Sequence, residues 1–205
     1  VAEALKSPEA EHWWVAMKSE IESINEKGTW ILVPRPKDRQ VITSKLLLRR
    51  KLNPDISLHR HKARLVARGF NQVVGIDFHE TFSPMPIITS LRTTIGLAAQ
   101  LNLYIHQIDI KTTFLNGDLD QLIYMEQPKY VKDIKNPDYV CLLKKTLYGL
   151  KQSPRFWYYM LHQFLIKKGY KRLKFHKKLY TRHNGTDVLI LVVYVNDIVI
   201  ISNAS

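Results

Sequence analysis

Polar and apolar positions along this chain follow two periods, and the changes of period mark out its elements. Residues 7–28 read as a helix. Ser7 is placed to cap it, Pro8 and Glu9 suit its first turn, and Trp13, Trp14, Met17, Ile21 and Ile24 recur at helical spacing before Gly28. A second helix is expected over 89–103, with Ser90 as cap and Leu91, Ile95, Ala98, Ala99 and Leu103 as its apolar stripe. A third starts at Ser153 and Pro154 and carries Phe156, Trp157, Met160, Leu161, Phe164 and Leu165 to a stop at Gly169. Between them lie strand patterns at 29–33, 59–70, 104–110, 124–128 and 139–143. Residues 41–52 are rich in Leu and in cations but alternate poorly, and Asn53-Pro54-Asp55 is a turn. Residues 75–84 and 131–138 read as loops, and 170–178 as a strongly basic segment.

Two of the strand patterns carry chemistry. Residues 189–201 are two β-branched apolar runs around the polar tip Asn196-Asp197, the pattern of a hairpin with a carboxylate at its bend. The plainer reading is a buried hairpin with a polar turn. The run from Tyr104 to Ile110 likewise carries one acid, Asp109. Two acidic strand ends that meet in space would suit a divalent metal, because hard cations prefer carboxylate oxygens.

Composition narrows the partners. The chain has 205 residues, enough for one large domain or two small lobes, and is 45% hydrophobic and 24% charged, which fits a folded globular protein. Its net charge of +13 calls for a polyanion, nucleic acid before an anionic membrane. On a strand Arg60, Lys62, Arg64 and Arg68 would share one face, either a phosphate-binding ribbon or a merely solvated one. The single cysteine, Cys141, excludes an intrachain disulfide and points to a reducing compartment. No Cys/His cluster has zinc-finger spacing, and His59 and His61 sit among cations that would repel a metal. No run of about 18 apolar residues spans a membrane, so no membrane partner is expected. There is no signal-peptide pattern, and the ends of the chain suggest a piece of a longer polypeptide.

Several long blocks resemble one family. They are Lys62-Ala63-Arg64-Leu65-Val66-Ala67-Arg68-Gly69-Phe70 with Glu80-Thr81-Phe82-Ser83-Pro84, then Gln107-Ile108-Asp109-Ile110-Lys111-Thr112-Thr113-Phe114-Leu115-Asn116-Gly117, then Leu147-Tyr148-Gly149-Leu150-Lys151-Gln152-Ser153-Pro154-Arg155, and last Tyr194-Val195-Asn196-Asp197. In this order and spacing the chain resembles the reverse transcriptase domain of copia-type LTR retrotransposon Pol polyproteins, from Trp13 to Ser202. The resemblance implies an α+β right-hand polymerase of fingers and palm, its antiparallel palm sheet backed by helices and its thumb absent. It divides the chain into an N-terminal helical segment (1–28), fingers (29–84), palm (85–116), a second part of the fingers (117–150) and a second part of the palm (151–205).

The resemblance also implies RNA-directed DNA polymerisation with two Mg2+ ions, Mn2+ being a possible substitute. Such ions lie about 3.5–4 Å apart and need carboxylates to offset their repulsion. By family position Asp109, Asn196 and Asp197 are catalytic, and Asp109, the Ile110 carbonyl and Asp197 hold metal. Lys62, Arg64, Thr112, Thr113, Phe114, Tyr148 and Gly149 meet the incoming nucleotide, with Phe114 under the sugar. Arg60, Arg68, Lys151 and Arg155 are assigned to nucleic acid. The partners implied are an RNA or DNA template-primer, deoxynucleoside triphosphates, and the integrase and ribonuclease H parts of a Pol polyprotein. The location implied is the cytoplasm, in virus-like particles, with the nucleus as alternative.

One departure bears on activity. The family's hairpin tip reads Tyr-Val-Asp-Asp, and here Asn196 stands at the first Asp. An amide oxygen ligates without charge, and one unit charge at about 4 Å is worth on the order of 4 kcal/mol at an effective dielectric near 20. A loss of roughly a hundredfold in polymerisation is therefore expected. Leu46 in place of a common Trp, a glycine missing at Lys129-Tyr130 and an acid missing at 177–179 point the same way, to a decaying copy. A single altered codon at 196 is the other account. The alternative function is a catalytically dead polymerase fold that still binds nucleic acid. A basic structural protein without a site is a third reading, and Asp109 lying far from Asp197 would favour it.

Overall fold

In chain order the elements are α1 (Ala10–Glu26), β1 (Trp30–Val33), β2 (Val41–Ile42), β3 (Ser44–Leu52), β4 (Leu58–Ala67), α2 (Ile88–Gln100), β5 (Tyr104–Asp109), β6 (Asp118–Glu126), β7 (Val140–Lys145), α3 (Ser153–Lys167), β8 (Lys171–Arg172), β9 (Leu179–Asn184), β10 (Asp187–Tyr194) and β11 (Asp197–Ser202). The structure, a computed structural model, describes residues 1–85 and 88–203. It is mixed α and β, and it divides into two units: Val1–Thr81 with Phe114–Ser153, and Phe82–Thr113 with Pro154–Ser205.

The first unit holds a sheet of order β1-β7-β6-β2 and a separate ribbon of β3 with β4. Its core joins Ile24 of α1, Ile42, Leu65, Ile123, Met125, Leu143 and Leu147 in one apolar cluster. Helix α1 is fastened to the ribbon by polar contacts as well. The Glu20 carboxylate accepts the Leu65 amide at 2.9 Å, Glu9 pairs with Arg50, and Trp13 meets the His61 ring edge-on at 4.3 Å. The tryptophan pair is split by helix geometry, because neighbours lie about 100° apart. Trp13 is buried, whereas Trp14 is 46% exposed and takes no part in the core. Ser7 does not cap the helix, which begins at Ala10; its hydroxyl instead donates to the Ala4 carbonyl at 2.7 Å in the preceding turn.

A close glycine contact and a knot of amides tie this unit together where the chain lacks regular structure. Gly149 has a φ of +92°, and a Cβ there would stand 2.1 Å from the Ala67 carbonyl oxygen. Gln72 donates to Gln152 at 3.0 Å, Gln152 donates to the Asp77 carbonyl at 2.9 Å, and the Gln72 side-chain oxygen accepts the Lys151 amide at 2.9 Å. Both glutamines are buried, so each amide group needs these partners in place of water.

The second unit is a five-stranded sheet of order β5-β11-β10-β9-β8, antiparallel throughout. Helix α3 lies against it through buried Trp157, Leu161 and Leu165, with His162 Nδ1 3.2 Å from the Tyr180 hydroxyl. Strands β8 and β9 run through or beside the segment read as merely basic; β9 turns into β10 through the two-residue loop Gly185-Thr186, with Gly185 at a φ of +61°. Two helix-cap expectations are corrected. Ser90 lies inside α2, two residues past its start, and its hydroxyl is 2.9 Å from His176 Nδ1. The position ahead of α2 is outside the described residues. Ser153 is already helical, and its hydroxyl donates back to the Leu147 carbonyl at 2.6 Å. The apolar stripe of α2 is only partly used: Ala98 is buried, but Ile95 is 40% exposed.

Lys178 is the misfit of this unit. It is 5% exposed, its ammonium lies 4.4 Å over the Tyr158 ring, and burial pushes it down to about 8. The unfolded lysine titrates near 10.5, so between these values the unfolded chain holds more protons and rising pH favours the fold. Stability should therefore climb by on the order of 2 kcal/mol from pH 8 to 10.5 through this group. Lys178→Met should lose that climb and be the more stable protein at pH 7. Urea denaturation of both proteins at the two pH values checks it; identical pH dependence would count against the assignment.

Candidate functional site

Strand register builds an acidic pair in the second unit. Strands β10 and β11 are joined by the two-residue loop Val195-Asn196, with Tyr194 opposite Asp197. Strand β11 then pairs with β5 so that Asp197 stands directly opposite Asp109. Side chains directly opposite share a face, with Cβ atoms about 4.5–5.5 Å apart, and like charges so placed repel. Each carboxylate is met by an amide donor. Asn196 Nδ2 donates to Asp109 Oδ1, and Gln107 Nε2 donates to Asp197 Oδ1 at 3.1 Å.

The tip that carries Asn196 is strained. Val195 has a φ of +53°, which a β-branched residue adopts at a cost of about 1–3 kcal/mol. Two hydrogen bonds hold it: the Trp157 indole donates to the Val195 carbonyl at 2.7 Å, and the Ile110 amide donates to the Asn196 carbonyl at 2.8 Å. Beyond Ile110 the chain turns through Thr112, φ +52°, and the Thr113 hydroxyl donates to the Ile110 carbonyl at 2.7 Å.

The donor set suits a hard divalent cation in kind, with two carboxylates, an amide and the Ile110 carbonyl. It is short of charge. Among the described residues no group of three or more His, Cys, Asp or Glu gathers where a metal could sit. The amide face turned to Asp109 is the nitrogen, so offering the oxygen to a cation requires the amide to rotate and release that bond. Two carboxylates balance one dication, not two.

The first unit carries the basic side chains. In the β3–β4 register Lys45 faces Val66, Leu47 faces Arg64, Arg49 faces Lys62 and Lys51 faces Arg60, which places six cations on one face of the ribbon. Burial is the first cause that lowers Lys62, followed by the charges of Arg64, Arg60 and Lys51. The Arg64 guanidinium lies 4.2 Å over the Tyr148 ring, and Phe114 meets Tyr148 edge-on at 5.2 Å. The Tyr148 carbonyl accepts the Ala67 amide at 2.7 Å, which keeps the 147–150 loop on β4.

The residues singled out in the sequence therefore fall into two groups. Asp109, Ile110, Asn196 and Asp197 come together in one unit; Lys62, Arg64, Phe114, Tyr148 and Gly149 gather in the other. Arg68 does not join the ribbon face, because β4 ends at Ala67 and the backbone leaves the strand there. Lys151 is partly occupied with structure: its ammonium reaches the Gln72 carbonyl at 3.2 Å and lies 4.9 Å from the Phe78 ring centre. Arg155 is half-buried in the first turn of α3. Sequence reasoning passed over Gln107; Trp157, an apolar position of the third helix, is buried in the core and in addition donates to the Val195 carbonyl. The signal for Gln107 was present, since it lies two residues before Asp109 and shares its strand face.

A sheet that ends in opposed acids on a hairpin and a neighbouring strand, with a basic ribbon and a glycine loop elsewhere in the chain, is compatible with a reverse transcriptase domain. The chain belongs to the reverse transcriptase (RNA-dependent DNA polymerase) family, which it matches over residues 27–205. It is 42% identical over 200 residues to the retrovirus-related Pol polyprotein from transposon TNT 1-94 of Nicotiana tabacum, covering 97% of this chain and 15% of that protein. It is 40% identical over 201 residues to the corresponding polyprotein from transposon RE2 of Arabidopsis thaliana, covering 98% of this chain and 14% of that one. A transposon Ty1-ER2 Gag-Pol polyprotein of Saccharomyces cerevisiae is 33% identical over 171 residues, 78% of this chain and 9% of its own length. The chain thus spans about one seventh of the plant polyproteins it matches.

Gly149→Ala should be poorly tolerated. The added methyl would stand 2.1 Å from the Ala67 carbonyl oxygen at a φ of +92°. The loop must leave β4, for a loss of about 2–4 kcal/mol in chemical denaturation. A loss below about 0.5 kcal/mol, the range of an unremarkable surface change, would contradict the close packing.

Proposed function

We propose that this chain is the fingers and palm of an RNA-directed DNA polymerase, the first unit being fingers and the second palm. The register that opposes Asp109 and Asp197 carries this reading. Asp109, Asp197 and the Ile110 carbonyl would hold Mg2+, with Asn196 as a neutral fourth donor. Bound Mg2+ lowers the pKa of a primer hydroxyl and offsets triphosphate charge. The chain's own residues then bind and orient. Lys62 and Arg64 hold triphosphate oxygens, Arg64 being steadied by Tyr148. Phe114 and Tyr148 bound the sugar, with the amides of Thr112 and Thr113 near the phosphates. Arg60, Arg68, Lys151 and Arg155 meet template and primer. The other partners are deoxynucleoside triphosphates and the remainder of a Pol polyprotein, with action in cytoplasmic virus-like particles.

Asn196 bonded to Asp109 favours a second reading for this copy, nucleic-acid binding with catalysis all but lost. Asn196→Asp separates the two. Primer extension with Mg2+ and with Mn2+, using the polyprotein's polymerase region, should rise about a hundredfold. No gain, in a protein that folds and binds template, would overturn the role given to position 196. The ribbon makes its own prediction. Primer-template affinity should fall steeply with salt, and changing Arg49, Lys62 and Arg64 together to Gln should reduce the log–log slope by about 2–3. A slope unchanged by that triple substitution would remove the ribbon from the interface.

A further inference from the structure

We infer that Trp157 is a positioning residue for the acidic hairpin: its indole N–H holds the Val195-Asn196 tip so that residues 196 and 197 present their side chains to Asp109. The inference rests on the metal-site reading only for its functional consequence; the positioning itself stands on the hydrogen bonds.

A two-residue hairpin loop with positive φ at its first position is a conformation that glycine supplies unaided. This chain places valine there, at φ +53°. The local sequence therefore does not favour the tip it adopts, and something outside the hairpin must hold it. The ladder between β10 and β11 ends at Tyr194 and Asp197, so it fixes the strands but not the two residues beyond them. What reaches the tip is the Trp157 indole from α3, 2.7 Å from the Val195 carbonyl oxygen. Trp157 is 3% exposed, so water does not compete for that bond, and a buried indole N–H needs an acceptor. One residue on, the Asn196 carbonyl accepts the Ile110 amide at 2.8 Å, immediately after Asp109. The two bonds pin successive peptide groups, and the direction of the residue 196 side chain follows from them. Asn196 Nδ2 meets Asp109 Oδ1 in consequence. Packing alone does not require this arrangement: a phenylalanine would fill much of the space and leave the Val195 carbonyl without its donor.

The test uses the full chain with Asn196→Asp as background, and three variants on it: Trp157→Phe, Val195→Gly, and both. Three readouts are taken: hydrogen exchange of the Ile110 amide, Mn2+ affinity by paramagnetic resonance, and thermal melting. Trp157→Phe should speed exchange at Ile110 by about tenfold, the effect of losing one sheltered hydrogen bond. It should weaken Mn2+ by a similar factor and leave exchange at Val192 and Val199, inside the β10–β11 ladder, unchanged. Val195→Gly should restore both quantities in the double variant, because glycine adopts the tip conformation without support. Unchanged Ile110 exchange in Trp157→Phe, or no rescue by Val195→Gly, would reduce Trp157 to packing and overturn the inference. If Trp157→Phe does not fold, benzothienylalanine at 157, which keeps the two-ring shape and lacks the N–H, carries the same expectations. Failure of the background protein to bind Mn2+ would instead strike the metal-site reading, and exchange at Ile110 would still decide the positioning role.

Discussion

The repulsion between Asp109 and Asp197 is the constraint around which the second unit is built. Strand register puts two carboxylates opposite each other on one face, an arrangement that destabilises a sheet unless positive charge or donors meet it. The fold supplies donors. Gln107 reaches Asp197 from two residues up the strand, and Asn196 reaches Asp109 across the hairpin tip. The chain accepts a β-branched residue at positive φ to bring the tip there, and it calls on α3 to hold it. Strain, buried indole and opposed acids are parts of one arrangement at this end of the sheet.

The first unit solves a different problem. Its ribbon concentrates six cations on one face, and cross-strand pairs of like charge weaken a ribbon that has no other support. Support comes from the opposite face. Ala63, Leu65 and Ala67 are buried there, and α1 adds Glu20 on the Leu65 amide and Glu9 on Arg50. The ribbon is therefore held by its apolar side and left free to present its charge, a division that β alternation makes available. The loop with Tyr148 and Gly149 docks on the same strand because two glycines let backbone meet backbone: a Cβ on Gly69 would stand 2.1 Å from the Gly149 carbonyl oxygen.

Membership of the reverse transcriptase family gives these features a common setting. Asparagine is nearly the shape of aspartate but inverts one partner of the bond. At position 196 the amide donates to Asp109. Lys178 is buried, and among the described residues no salt bridge relieves it, so here the sequence works against its fold.

Much of this was legible in the chain because it rests on local rules. Period-two and helical runs located α1, α3, β5 and the hairpin, and the blocks around Asp109, Tyr148 and Asp197 announced a polymerase. Capping was misjudged at Ser7, Ser90 and Ser153, because α1 begins only at Ala10 and the other two serines already lie inside their helices. Strands β8 and β9 hid behind their charge, because cations on a strand and cations in a loop look alike until a neighbour pairs with them. By itself the sequence determined the element types, the surplus of positive charge and the identity of the acids. Only the tertiary structure decided that Gln107 and Asn196 cap those acids, that Arg68 leaves the ribbon, and that a tryptophan outside the hairpin fixes its tip. Such contacts join residues 38 to 90 positions apart, and no pattern along a chain specifies which distant donor will reach a given carbonyl.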